Sequence, residues 1–390
     1  MVEIVLVNFG FWFNLLIPVA IGIYLYFTNR NMIAREVGIQ FIATFAFLFI
    51  VYNIMFSFTV DLVDTEQRNS AVKSAHYQEG YEYEYDCSYE VCSGTGENET
   101  CVTIPQTCEA WKSPERFINT TNGETIYISA EEYNRYTAAF GHVEEDLYHS
   151  DQTWSSRNKG EGDIWHSYPN ILMPASVTYS YENYVVAANH NVIHHTVSPE
   201  EIAAYKKNGK LKEYPETYHD KFGVPKQNRV IDTTGKGDFL VLRNELDDAS
   251  ARMGRAKQAN PIIYITDETQ DFKWILDSYW NKAKKNDVVL LLGVDGNKVV
   301  WSDVIAWTDN ADLFVNAESE FKGLDIRNPD IVKKFETLIF ADYKRKPMKD
   351  FDYLKENITL DFQWQALIFV LNVLLSGGLM YFFMRNEFSK

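Results

Sequence analysis

Apolar residues gather at the two ends of this chain, in three long runs over residues 4–27, 37–60 and 365–384. As helices rising 1.5 Å per residue, all three are long enough to cross a hydrocarbon core about 30 Å thick. The second and third runs contain no Asp, Glu, Lys or Arg. The first follows Glu3, has no basic leader and ends at no small-residue cleavage site, so it reads as a retained helix rather than a secretory signal. Its Gly10, Pro18 and Gly22 are tolerable in a span, where neighbouring helices satisfy freed backbone groups. Trp364 and Tyr381 flank the third run, where aromatic belts form. Lys and Arg in short loops set orientation. Arg30 and Arg35 lie between the first two runs, and Arg385 and Lys390 follow the third. The predicted topology therefore has the N-terminus outside, residues 61–363 outside, and the C-terminal tail in the cytoplasm.

Between the runs the pattern turns polar. Residues 61–80 predict a helical or coil stalk. Tyr81-Glu82-Tyr83-Glu84-Tyr85-Asp86 alternates aromatic with acid, the signature of a strand with one apolar face, and leads into Cys87. A strand entering a stapled hairpin follows. Residues 131–136 suit a short helix and residues 150–163 a loop. Residues 177–186, rich in β-branched and aromatic types, predict a strand broken at Glu182-Asn183. Ser198-Pro199-Glu200-Glu201 opens a helix, with Ser at the N-cap, Pro at the first position and Glu201 closing a capping box. Residues 214–227, with Pro215, Gly223 and Pro225, predict a connecting loop.

From residue 229 onward the pattern becomes regular. A short strand over residues 229–232 and a Gly235-Lys236-Gly237 turn precede Phe239, Leu242, Leu246, Ala249, Met253 and Ala256, spaced for an amphipathic helix. The turn lacks the glycine spacing and the Lys-Ser/Thr pair of a phosphate loop. Residues 261–266 predict a strand, 271–285 a helix, and 288–294 an almost wholly apolar strand buried on both faces. Asp295-Gly296 marks a hairpin turn into a return strand over residues 298–307, and residues 331–340 predict a last helix. The order β-α-β-α-β-β-α predicts an α/β sandwich with a mainly parallel sheet and one antiparallel edge.

Net charge is −17 and the pI near 5.0, so long-range repulsion disfavours nucleic acid and anionic headgroups as partners. All four cysteines, Cys87, Cys92, Cys101 and Cys108, fall in one short polar segment without a C-x-x-C pair. Two disulfides are expected, with three pairings open, and they require an oxidising compartment. The topology puts them on that side independently. His190, His194 and His195 form a candidate metal cluster, set against a partly exposed strand or bend. Sequons at Asn98, Asn119 and Asn357 matter only on a eukaryotic secretory route.

Residues 231–308 resemble the TPM domain family. Pro261-Ile-Ile-Tyr-Ile-Thr266 looks like its first central strand, Tyr279-Trp280 before Asn286-Asp287 like its turn, and residues 288–293 like its "V-L-L-L" strand. The outer region also looks like a family of membrane proteins from large tailed phages and some bacteria. That likeness rests on residues 81–86, 181–190 and 346–354, and implies a bacterial inner membrane. The TPM resemblance implies divalent-metal binding, phosphate-ester hydrolysis or upkeep of membrane complexes. Its paired-acid and Gly-rich signatures are missing, but Asp232, Asp303, Asp309 and Asp312 are the candidate ligands for Mg²⁺ or Ca²⁺.

The expected architecture is therefore an extracytoplasmic α/β region anchored by three transmembrane α-helices. Residues 1–60 hold two spans, 61–228 a disulfide-stapled β-rich subdomain, 229–356 the TPM-like α/β sandwich, and 357–390 the last span and tail. The expected function is a non-enzymatic protein-interaction or membrane-complex maintenance module. Its partners would be the lipid bilayer and other membrane or extracytoplasmic proteins, a homo-oligomer among them. The alternatives are a metal-dependent phosphoesterase and an oligomeric pore component.

Overall fold

The structure is a computed structural model and describes residues 2–28, 34–60, 62–93, 100–140, 143–146, 164–169, 172–188, 197–237 and 239–386. It is a mixed α/β protein that divides into two compact units.

The first unit comprises Met1–Glu66, Ser180–Ser198 and Lys346–Lys390. It contains the helices Phe9–Thr28, Ala34–Thr59 and Phe362–Asn386, which pack on one another. Of these, Arg35–Thr59 and Phe362–Phe383 pass as long and apolar enough to cross a membrane. The first apolar run is not one continuous helix, as expected, but two, Val2–Val7 and Phe9–Thr28. The break falls at Asn8, whose Oδ1 accepts from the Gly10 amide at 2.9 Å and so starts the second helix in the manner of an N-cap. Asn8 Nδ2 meanwhile donates to the Ile358 carbonyl at 2.9 Å. Asn183 works in the same way, its Oδ1 accepting from Val185 and Val186 at 3.1 and 3.2 Å to cap the single turn Tyr184–Ala187.

The second unit comprises Gln67–Tyr179 and Pro199–Arg345. The expected stalk is instead most of a 16-residue strand, Val63–Gln78, at the heart of a six-stranded sheet. Its neighbours are Glu115–Thr120 and then Thr125–Tyr127 on one side, and Ile164–Ser167 and then Val143–Asp146 on the other; Pro174–Glu182 also pairs with it. Val72, Ala75, Ile118, Tyr133, Tyr136 and Met173 form its core. Tyr133 and Tyr136 come from the helix Ala130–Phe140, which starts at a capping box. There the Glu132 amide donates to Ser129 Oγ at 3.2 Å, and the Ser129 amide donates back to Glu132 Oε2 at 2.7 Å.

From this sheet a ribbon extends as an arm. Tyr81–Asp86 pairs with Thr107–Lys112, and Tyr89–Ser93 with Thr100–Ile104. Nested disulfides Cys87–Cys108 and Cys92–Cys101 hold it, choosing one of the three open pairings.

The remainder is the α/β part. Its four strands run in chain order, Val230–Asp232, Asn260–Thr266, Asp287–Asp295 and Lys298–Ala306. The first three are parallel and the last is antiparallel. The hairpin turns at Gly296, whose φ of 59° favours glycine. One face carries Val230, Ile263, Ile265, Leu290 and Leu292 against the helices Leu240–Lys257, Ala311–Glu320 and Asp330–Asp342. The other carries Tyr264 against Phe272 and Trp280, at ring distances of 5.5 and 5.8 Å. Three expectations shift. The helix expected over residues 271–285 is only Phe272–Tyr279, because Asn281, Lys282 and Ala283 all take positive φ. The loop over residues 214–227 contains a small hairpin, Thr217–His219 with Pro225–Gln227. The helix Ala311–Glu320 was not anticipated.

Candidate functional site

The carboxylates expected to share a metal are dispersed. Asp232 ends its strand and accepts from the Thr234 amide at 2.9 Å and Thr234 Oγ1 at 2.7 Å. Asp303 is buried mid-strand, with Lys273 Nζ 2.6 Å from its Oδ1. Cross-strand register runs from Asp232 to Ile265, Leu292 and Ser302, so Asp232 shares a face with Ser302, and Asp303 points to the other face. Three strand spacings of about 4.8 Å, or about 14 Å, also separate the two strands. Asp309 and Asp312 are exposed around the start of the helix Ala311–Glu320, where the Asp312 amide is capped by Asn310 Oδ1 at 3.2 Å. Among the described residues, the one set of three possible ligand groups within 4.8 Å is Glu90, Cys92 and Cys101, and those two sulfurs are bonded to each other. His190, His194 and His195 lie outside the described residues.

A polar cluster that sequence reasoning missed lies inside the second unit. Arg229 is 3% exposed and reaches Asn69 Oδ1 at 2.6 Å, Gln227 Oε1 at 3.1 Å and Asn260 Oδ1. Its Nε lies 3.4 Å from Asp247. Desolvation outweighs attraction for this pair: burial lowers the Arg229 value and raises that of Asp247. Next to it, Asn260 Nδ2 donates to Asp287 Oδ1 at 2.7 Å, and Tyr214 Oη donates to the same oxygen at 3.1 Å. The Lys284 amide donates to Asp287 Oδ2 at 2.7 Å. Burial nevertheless pushes Asp287 up to about 7, the donors pulling the other way. Asn260 and Asp287 are fully buried, so no substrate reaches them. The cluster instead ties the long strand to the parallel sheet: Asn69 Nδ2 donates to the Ala259 carbonyl at 3.0 Å, and Asn286 Nδ2 to the Gln67 carbonyl at 2.6 Å. In the sequence, Gln67 and Asn69 are not distinguished from the other polar residues of the long strand, so nothing there pointed to this cluster.

Two histidines meet on the six-stranded sheet. His76 and His166 are cross-strand partners, their Nδ1 atoms 2.6 Å apart. Ser74 Oγ and Asn119 Nδ2 approach His76 Nε2 at 2.7 and 3.1 Å. With Asn119 donating to Nε2, the His76 Nδ1 proton is donated to His166. The His76 ring stacks on Phe117 at 4.9 Å. Burial pushes His76 down to about 4, with His166 and Lys73 adding to the effect.

The arm exposes apolar side chains on both of its ribbons. On its distal ribbon Tyr89 and Val91 face Ile104 and Val102 on one side, all four exposed, Val102 to 60%. On the proximal ribbon Tyr81, Tyr83 and Tyr85 form a ladder with ring spacings of 6.3 and 6.2 Å. The opposite side carries Trp111, 59% exposed, across from Glu82, and Glu84 across from Glu109. Seven carboxylates and one lysine lie between Tyr81 and Lys112. Exposed apolar side chains on a covalently stiffened ribbon suit recognition, because little conformational entropy is lost on binding.

No family model, curated protein or solved structure matches the chain.

Proposed function

We propose that the chain is an integral membrane protein with three spans, whose large region lies outside the cytoplasm and binds other membrane or extracytoplasmic proteins through the disulfide-stapled arm. The observation that carries this reading is the arm: its apolar side chains are exposed and its two disulfides belong to an oxidising compartment. The two apolar helices and the basic residues Arg30, Arg35, Arg385 and Lys390 support the topology. The helix Phe9–Thr28, without Asp, Glu, Lys, Arg or His, is the third span. Acidic residues along the arm disfavour anionic lipid and leave protein as the partner. The function is contact rather than catalysis.

Cross-linking in the native membrane, read by mass spectrometry, tests this. Cross-links from Lys112, at the base of the arm, to a recurrent partner protein are expected, and they disappear in a Tyr89→Ser/Val102→Ser variant. A survey in which Lys112 forms no intermolecular cross-link, or forms the same ones in the variant, contradicts the reading.

A further inference from the structure

The distal ribbon of the arm has an open side. Among the described residues, Tyr89–Ser93 pairs with Thr100–Ile104 and with no other strand, and every residue of Tyr89–Ser93 is exposed. An open strand edge is a row of backbone donors and acceptors, which proteins ordinarily shorten, cover or interrupt with proline. The register fixes which groups stand in that row. Cys92 and Cys101 are directly opposite, with Cα atoms 3.9 Å apart, the close spacing of a pair that exchanges no hydrogen bonds. In such a pair the N–H and C=O point away from the partner strand, and the two kinds of pair alternate along the ribbon. The amides and carbonyls of Glu90 and Cys92 therefore point to the open side, and those of Tyr89 and Val91 point to Thr100–Ile104. The Cys87 amide, which donates inward to the Gln106 carbonyl at 3.0 Å, keeps the same alternation.

The side chains add a charge pattern to this edge. Glu90 lies on one face of the ribbon, and Tyr89 and Val91 on the other. Tyr81–Asp86, earlier on the same strand path, repeats the alternation of apolar and acid. Across the whole arm, seven carboxylates stand against one lysine. The opposite edge, Thr100–Ile104, carries no charge and runs into Pro105. Such an edge selects its occupant. A strand laid along Tyr89–Ser93 places one side chain beside Glu90 and its neighbours beside Tyr89 and Val91. Opposite charge stabilises the first position and like charge destabilises it. A second copy of the chain would bring another acidic arm, so self-pairing is disfavoured.

We propose that the arm takes its partner by strand addition: an extended segment of the partner protein, with Lys or Arg alternating with apolar residues, pairs with the open edge of Tyr89–Ser93. The inference rests on the arm being the interaction site, as proposed above. Backbone bonds to Glu90 and Cys92 hold the segment, and Glu90 selects its basic residue. Tyr89 and Val91 extend their apolar face onto it. The disulfides keep the edge extended before the partner arrives, so little freedom is lost on binding.

The test uses the purified full-length chain in nonionic detergent and a fluorescein-labelled peptide of alternating arginine and valine, with binding read by anisotropy. That peptide is expected to bind at least tenfold more tightly than its aspartate–valine counterpart, and to weaken at least tenfold between about 50 and about 500 mM KCl. Methylating its arginine backbone amides keeps every charge but removes the donors that face Glu90 and Cys92, and is expected to cost at least tenfold. Methylating its valine amides instead is expected to cost less than threefold. Glu90→Pro removes an amide that faces the open side, where proline is tolerated, and is expected to lose at least tenfold. Glu90→Gln keeps the amide and is expected to lose at least threefold. Glu318→Gln, at an exposed helical position, is expected to change nothing. Equal affinity for the aspartate–valine peptide or for the arginine-methylated peptide overturns the proposal. So does unchanged affinity in both Glu90 variants. Cross-linking from Lys112 in the native membrane separates the two readings. A recurrent partner that persists in Glu90→Pro removes strand addition alone, whereas no partner in the wild-type chain removes the arm as an interaction site as well.

Discussion

His76 and Asp287 are buried titratable groups whose linkages to folding have opposite sign. His76 is held at about 4 in the folded chain against 6.5 unperturbed. Between those values the unfolded chain binds the extra proton, so the stability His76 confers is present above pH 6.5 and lost as pH falls toward 4. After screening, about 1–2 kcal/mol is at stake. Asp287 is raised to about 7 from 3.8, so its contribution is full below pH 3.8 and lost as pH rises through 7. Denaturant titrations separate the two. His76→Gln is expected to reduce the loss of stability between pH 6.5 and 4.5. Asp287→Asn is expected to reduce the decline between pH 4 and 7. Parallel pH profiles in wild type and both variants contradict these assignments.

At the scale of elements, close approach explains the joint between the long strand and the helix Leu240–Lys257. A Cβ on Gly254 would stand 2.2 Å from the Asn69 carbonyl oxygen, which is backbone and has little freedom to yield. Gly254→Ala is therefore expected to destabilise the protein by about 2–3 kcal/mol in urea unfolding, despite the helix propensity gained. Neutral or increased stability contradicts that packing. The same joint shows why legibility in the sequence was uneven. The parallel strands were readable because Ile262–Ile265 and Val288–Leu292 are apolar on both faces. The Cys87 arm was readable because Tyr and acid alternate strictly before it. The long strand was not, because Gln67, Asn69, Ser70 and Ser74 are buried yet polar. The partners of Gln67 and Asn69, namely Thr178, Ser176 and Asn260, lie more than a hundred residues away. Periodicity cannot register polar groups satisfied at that distance. The helix Ala311–Glu320 buries only Leu313 and Ala317, too few for a recognisable stripe. The carboxylate set failed for a related reason: proximity in sequence order does not reveal that Asp232 and Asp303 face opposite sides of one sheet.

For the whole molecule, charge, cysteines and apolar segments constrain one another. The polyanionic character, at −17, keeps the polar region soluble and away from anionic surfaces. The disulfides need an oxidising side, and the basic flanks of the apolar runs belong to the cytoplasmic one. The proposed topology, with residues 61–363 outside, meets both requirements. Because all four cysteines are paired with one another, a single introduced cysteine supplies a unique reactive thiol. Labelling of intact cells with a membrane-impermeant maleimide, with cysteine placed at Glu318→Cys or at Ser389→Cys, is the most direct measurement. The account predicts labelling of Glu318→Cys without permeabilisation and of Ser389→Cys only after it. Labelling of Ser389→Cys in sealed cells, or protection of Glu318→Cys until the membrane is opened, contradicts it.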